Sequence, residues 1–304
     1  MKSRALGRDG GLTARMFLTT GLLGLLYVVF AVVLFEILNA GIVVMVVIVG
    51  GLALVQYYTS DKLALAAAGA KVVERDDAPQ LHDMIERLCA MADLPKPRIA
   101  LIDTDVPNAF ATGRSPKHSA VAVTTGLWRR LEPAEVEGVL AHELSHIANR
   151  DVLVMTLASF FAMLAGLLAR FGLYGGMFSG GRRDNNSGGV PIWLVVLIVS
   201  VVTYVISFLL IRAISRYREY TADRGAAILT GAPEHLMSAL QKISGAIVEI
   251  PRRDLREVEA MNAFFIIPTN VGRAVSQLFA THPPTEKRLE RLAEIARQLG
   301  RPVA

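Results

Sequence analysis

Four long apolar stretches without a charge punctuate the chain: Met16 to Phe35, Ala40 to Tyr58, Val152 to Ala169 and Gly188 to Ile211. Each is close to the ~20 residues that a helix needs to cross the hydrocarbon of a bilayer, so the pattern predicts four transmembrane helices. Only Glu36 to Asn39 separate the first two, and a connector rich in Gly, Ser and Asn separates the second two. They therefore pair into two hairpins, although the second could also dip into the membrane without crossing, because Arg170, Arg182 and Arg183 in its connector oppose the usual charge bias. The first run is too long for the core of a signal peptide and has no small-residue cleavage site before the next one. The expected organisation is an N-terminal hairpin over residues 1–60, one half of a soluble domain over 61–151, a second hairpin over 152–211 and the other half over 212–304.

Elsewhere the apolar positions follow soluble periodicities. Pro79 to Ala92 reads as an amphipathic helix, and Pro97 to Ile102, Asn108 to Gly113 and Ser119 to Thr124 read as short strands divided by turn residues. From Pro133, Val136, Val139, Leu140, Leu144 and Ile147 form one stripe at about 100° per residue, which predicts a helix. Further helices are expected from Pro233 to about Ile247 and from Thr285 to Gln298, with a charged, exposed stretch at Pro251 to Glu259. Ala263 to Ile267 could be a strand, a core segment or a membrane-surface contact. The fold class is α+β, mainly helical with a small sheet.

Composition sharpens this. A hydrophobic content of 53% with 19% charged residues and a mean hydropathy of +0.43 exceed what a soluble domain carries. The net charge of +5 does not point to nucleic acid, because the basic residues flank apolar runs and are not interleaved with aromatics. Lys2, Arg4, Arg8 and Arg15 precede the first hairpin and Lys62 and Lys71 follow the second run, which places the N-terminus and the soluble domain in the cytoplasm. The single cysteine, Cys89, shares helical spacing with Leu81, Ile85 and Leu88 and reads as a core residue.

The chemistry lies in the helix from Pro133, which contains His142-Glu143-Leu144-Ser145-His146. Residues four apart stack on one face, so the two imidazoles can hold one Zn2+. Glu143 falls inside the apolar stripe, where a carboxylate is costly unless something satisfies it. Beside a metal's open position it can take the proton of a water acidified by the ion. Downstream, Glu219 and Asp223 share a helical face, offering one carboxylate to a metal and one to a ligand imidazole. On that segment alone, a solvated charged helix paired through Arg216 or Arg218 is the simpler reading. Asn108, Ala109, Phe110 and Ala111 are a candidate edge strand for an extended peptide, or an ordinary strand with a buried Phe110. His82, His118 and His235 stand alone and read as packing or surface residues.

His-Glu-x-x-His followed, beyond an apolar hairpin, by Arg218-Glu219-Tyr220-Thr221-Ala222-Asp223 resembles the HtpX-type membrane zinc metallopeptidases, relatives of the CAAX prenyl proteases. The likeness extends to Pro107-Asn108-Ala109-Phe110-Ala111 and to Thr281-His282-Pro283-Pro284 with Arg288. It implies a gluzincin-like zincin domain, one Zn2+ per chain held by His142, His146 and Glu219, Glu143 as the catalytic base, and Asp223 supporting a histidine. It also implies stress-response quality control of damaged or misfolded membrane proteins at the cytoplasmic face of the inner membrane, with the lipid bilayer and unfolded chains as partners. His282 and Arg288 are candidates for oxyanion contact or for packing at a helix start. A membrane adaptor or chaperone that keeps a zinc site, an intramembrane-cleaving protease and a CAAX-type protease are the competing readings.

Overall fold

The computed structural model describes residues 10–38, 42–151, 165–166, 168–170, 191–249 and 283–301. The chain divides into two compact units, one of Met1–Thr13, Thr59–Leu153 and Ser215–Ala304, the other of Ala14–Tyr58 and Val154–Ile214.

The apolar unit draws on α1 (Gly10–Leu38), most of α2 (Ile42–Ala67) and the first part of α6 (Ile192–Thr230). Leu23 and Tyr27 bury against Ile214, and Phe30 against Ala165 and Val196. Outward faces carry Phe17, Leu25, Val28 and Val32 on α1 and Ile198, Val202 and Leu209 on α6, all exposed. Such continuous apolar surface is the mark of contact with lipid. Among the described residues, two helical segments, Ala14–Val33 and Trp193–Thr230, are long and apolar enough to cross a membrane. The run Ala40 to Tyr58 lies in α2 from Ile42 onward, its first two residues being outside the described ones, as are nearly all of Val152 to Ala169 and of the connector.

The other unit is built on a four-stranded mixed sheet in the order β1-β2-β4-β3, from β1 (Lys71–Val72), β2 (Arg98–Ile102), β3 (Ala109–Ser115) and β4 (His118–Thr124). The three expected strands are present, and β1 adds a two-residue antiparallel edge to β2. β2 and β4 run parallel, whereas β3 and β4 form an antiparallel hairpin. Alternating side chains serve two cores. Ala100, Ile102, Phe110, Ala120 and Ala122 face Leu65 in the last turn of α2 and Ala68 just past it, while Ile99, Ala109, Val121 and Val123 face the helical layer. Phe110 is thus a core residue.

That layer holds α3 (Pro79–Ala92), α4 (Thr125–Arg130), α5 (Pro133–Ala148), α7 (Pro233–Glu249) and α8 (Thr285–Gln298). Cys89 is buried in it, and burial pushes its thiol pKa up to about 11. α5 is the central element. Its predicted stripe is entirely in the core, Pro133 opens its first turn, and Glu132 and Glu135 form a reciprocal capping box. Gly138 lets α7 approach: a Cβ there would stand 3.0 Å from the Leu236 amide nitrogen.

Glu135 also ties the two helices, accepting from Ser238 Oγ at 2.6 Å and Lys242 Nζ at 2.8 Å. Burial raises its pKa, but these donors outweigh that and hold it below the ordinary carboxylate value. Glu135→Ala removes a cap and a charged tie, and we expect it to lower stability by about 2–3 kcal/mol. Denaturant unfolding at neutral pH measures this. The carboxylate's contribution is present above its unfolded-state pKa and is lost as pH falls through its depressed folded value, so the gap between wild type and variant should narrow in acid.

Candidate metal centre

α5 presents His142, Glu143 and His146, all buried, because the stripe that anchors the helix surrounds them. α6 brings Glu219 and Asp223 to the same place, running on through Gly225 to Thr230 as one unbroken helix. His142 Nε2 and His146 Nε2 are 3.2 Å apart, and Glu219 offers Oε2 at 3.4 Å to the first and Oε1 at 3.5 Å to the second. Among the described residues these three form a group whose donor atoms, all within 4.8 Å of one another, could hold a metal ion.

The geometry fits such an ion. Donors around a tetrahedral ion bonded at ~2.0–2.1 Å stand about 3.3 Å apart, close to the spacing of the two Nε2 atoms and of each from its nearer Glu219 oxygen. The outer nitrogens explain why Nε2 faces Nε2. His142 Nδ1 lies 3.0 Å from Asp223 Oδ1, and His146 Nδ1 lies 2.8 Å from Asp151 Oδ2. A carboxylate only accepts, so each ring donates from Nδ1 and turns Nε2 inward. Two inward nitrogens at that distance need a shared proton or a shared cation.

Charge points the same way. Glu143, Glu219, Asp223 and Asp151 are all at most 4% exposed. Arg288, 1% exposed, donates to Asp223 at 2.9 and 2.6 Å and lies 3.5 Å from Glu219. Arg218 Nε lies 3.4 Å from Asp151. Four carboxylates against two guanidiniums leave two negative charges over among these residues, the charge that one divalent cation cancels when both histidines are neutral.

Without an ion, the surrounding carboxylates favour protonated imidazoles. Burial disfavours the charged form of both imidazoles, but Asp223 and Glu219 hold the His142 pKa above its ordinary value, and Asp151 and Glu219 push that of His146 up to about 10. Burial raises the Glu143 pKa above its ordinary value; the two histidines and the Ala111 N–H, which donates to its Oε2 at 2.9 Å, oppose this while Glu219 adds to it. Asp223 is held low, since Arg288 and His142 outweigh its burial.

The structure therefore gathers His142, Glu143, His146, Glu219, Asp223 and Arg288 into one cluster. His282 lies outside the described residues. Ala111 lies on the edge strand β3 against Glu143, while Asn108 bonds Thr124, its N–H donating to Oγ1 at 2.9 Å. Arg218, a candidate partner for Glu219 or Asp223, instead pairs with Asp151. Asp151 was not among the candidates. Its one signal is an acid five residues past His146, at the last position before an apolar run. His82 bonds the Val73 carbonyl and His118 contacts Ser115, each away from the cluster.

A buried pair of imidazoles that face each other through Nε2, with Glu143 and Glu219 at their side, is suited to metal-dependent hydrolysis. Comparison with known proteins narrows this class, since residues 75–296 match peptidase family M48, and the chain belongs to that family. "Protease HtpX homolog" of Moorella thermoacetica is 52% identical over 299 residues, covering 97% of this chain and 98% of that protein. "Protease HtpX homolog 1" of Streptomyces coelicolor is also 52% identical, over 96% of this chain and 95% of its own. Among solved structures, Ste24p of S. mikatae shares the fold, with a TM-score of 0.54 and 19% identity over 91% of this chain. The chain spans 64% of the length of Ste24p. The protein is a membrane metallopeptidase.

Metal must displace the protons held on the imidazoles. Calorimetric titration of the metal-free protein in buffers of different ionisation heat should show net proton release near pH 7, and metal affinity should rise with pH, by about tenfold per unit for each proton released. The rise should continue toward pH 10, where His146 loses its proton. Metal uptake without proton release would contradict the cluster described.

Proposed function

We propose that the protein is a zinc endopeptidase that cuts damaged or misfolded membrane proteins at the cytoplasmic face of the inner membrane. His142, His146 and Glu219 hold the ion, and the residues between the two hairpins and after the second form one catalytic domain. The observation that carries this reading is the convergence of three buried side chains, the two Nε2 atoms 3.2 Å apart and a Glu219 oxygen within 3.5 Å of each, with Glu143 next in sequence to a ligand. When bound, zinc would polarise the scissile carbonyl and acidify water at the site.

The rest of the chemistry belongs to the chain. Glu143, raised in pKa by burial, accepts a proton from the attacking water and returns it to the leaving amine. β3, last in the sheet order, is the strand on which an extended peptide would align, and the Ala111 amide, now on Glu143, fixes the carboxylate beside it. Asp223 holds His142, and Arg288 holds Asp223, so the guanidinium acts on the ligand shell and is not needed as an oxyanion contact. Glu219 follows the apolar run that ends at Ile211 by eight residues. That tether keeps the domain near the bilayer and raises the local concentration of membrane-protein substrates.

Glu143→Gln keeps shape and ligands but removes the base, so zinc should stay while turnover of an unfolded membrane protein falls ~10²- to 10⁴-fold. Glu219→Ala should instead lose the metal. Unchanged turnover in Glu143→Gln would sink the mechanism.

The topology has its own check. His142 and Glu219 share one ion, so the intervening chain crosses the membrane an even number of times, and cysteines introduced at Ser115 and Ser238 should label from the same side of sealed vesicles. Labelling from opposite sides would exclude a single site.

A further inference from the structure

Two histidines in this cluster are each backed by a carboxylate, and each carboxylate by an arginine. For His142 the backing comes from α6 and α8 through Asp223 and Arg288. For His146 it comes from Asp151, just beyond α5, and from Arg218, also on α6. Asp151 Oδ2 accepts from His146 Nδ1 at 2.8 Å, and Arg218 Nε lies 3.4 Å from the same oxygen. Asp151 is fully buried and the Arg218 side chain is only 12% exposed. Among the described residues the other Asp151 oxygen, Oδ1, makes no hydrogen bond. A buried carboxylate with so little else to bond is expensive, so its place in the fold is explained by the imidazole it orients and the guanidinium that balances its charge.

The positions of the two residues in the chain give the pair a second meaning. Asp151 is the last described residue before the apolar stretch, and Arg218 stands seven residues after Ile211, where that stretch ends. Both belong to the compact unit that carries the metal ligands. One ion pair therefore joins the point where the chain leaves this unit to the point where it returns, and the joint is hydrogen-bonded to a ligand imidazole.

We propose that Asp151 is a positioning residue for His146, and that the Asp151–Arg218 pair clamps the two chain ends of the apolar segment so that metal retention depends on their being held together. The proposal rests on the reading of His146 as a metal ligand. Parting the ends would withdraw the Arg218 charge from Asp151 and free the imidazole to turn. Groups that orient a ligating histidine typically contribute ~10- to 100-fold to metal affinity.

The test uses the full-length protein in detergent, loaded with Co2+ as a spectroscopic probe. Asp151→Asn keeps a hydrogen-bond acceptor and removes the charge; it should weaken metal binding by about tenfold or more and shift the visible cobalt bands. Arg218→Ala should act in the same direction, and Arg218→Lys, which retains the charge, should restore affinity. The double variant Asp151→Asn/Arg218→Ala should bind no more weakly than Asp151→Asn alone, because the two residues act as one unit. If Asp151→Asn fails to fold, the Arg218 variants decide the matter by themselves. Wild-type affinity and an unchanged cobalt spectrum in Asp151→Asn and Arg218→Ala, with His146→Ala unable to bind metal, would overturn the clamp alone. Wild-type affinity in His146→Ala would overturn the metal-site reading together with it.

Discussion

Negative charge that cannot reach water is the constraint on which the structure depends. Glu143, Glu219, Asp223 and Asp151 lie within a helical core, each at most 4% exposed. Carboxylates taken from water are tolerated only when paired and hydrogen-bonded. Two arginines, two imidazoles and one amide of the edge strand supply those bonds. The remaining imbalance is that of a divalent ion. Stability and function are therefore opposed at this point, since the cluster that would carry out hydrolysis is also the least comfortable part of the core.

The scaffold answers that strain with rigidity. α5 is capped at its start by Glu132 and Glu135, tied to α7 by Ser238 and Lys242, and brought close to α7 by the absence of a side chain at Gly138. The sheet gives one alanine-rich face to α2 and the other to the helical layer, leaving the outer edge of β3 next to Glu143. α8 contributes one decisive residue, because Arg288 is buried among the carboxylates and carries the C-terminal helix into the site. Each helix that touches the centre thus brings a charge as well as apolar packing.

How far all this was legible follows from the range of the interactions. Local patterns read well: the stripe on α5, the i, i+4 histidines, the strands near residues 98–102, 109–115 and 118–124, and the proline-opened helices at 79, 133, 233 and 285. Period and capping are properties of neighbours in sequence. The family resemblance supplied Glu219 and Asp223, which by spacing alone read as a charged helix. The pairing of Asp151 with Arg218 and the partners of Arg288 were not legible, because these contacts span 65 to 69 positions and depend on how helices meet. The two-residue strand β1 escaped for a related reason, as it exists only through its pairing with β2. Hydropathy predicted four spans, and two qualifying helices stand among the described residues.

X-ray absorption at the zinc edge of the purified full-length protein reads the metal's ligands themselves. One zinc per chain is expected, with two imidazole nitrogens at ~2.0–2.1 Å, carboxylate and water oxygen completing a four-coordinate shell, and no sulfur. A protein without stoichiometric metal, or a metal whose shell lacks imidazole, would contradict it.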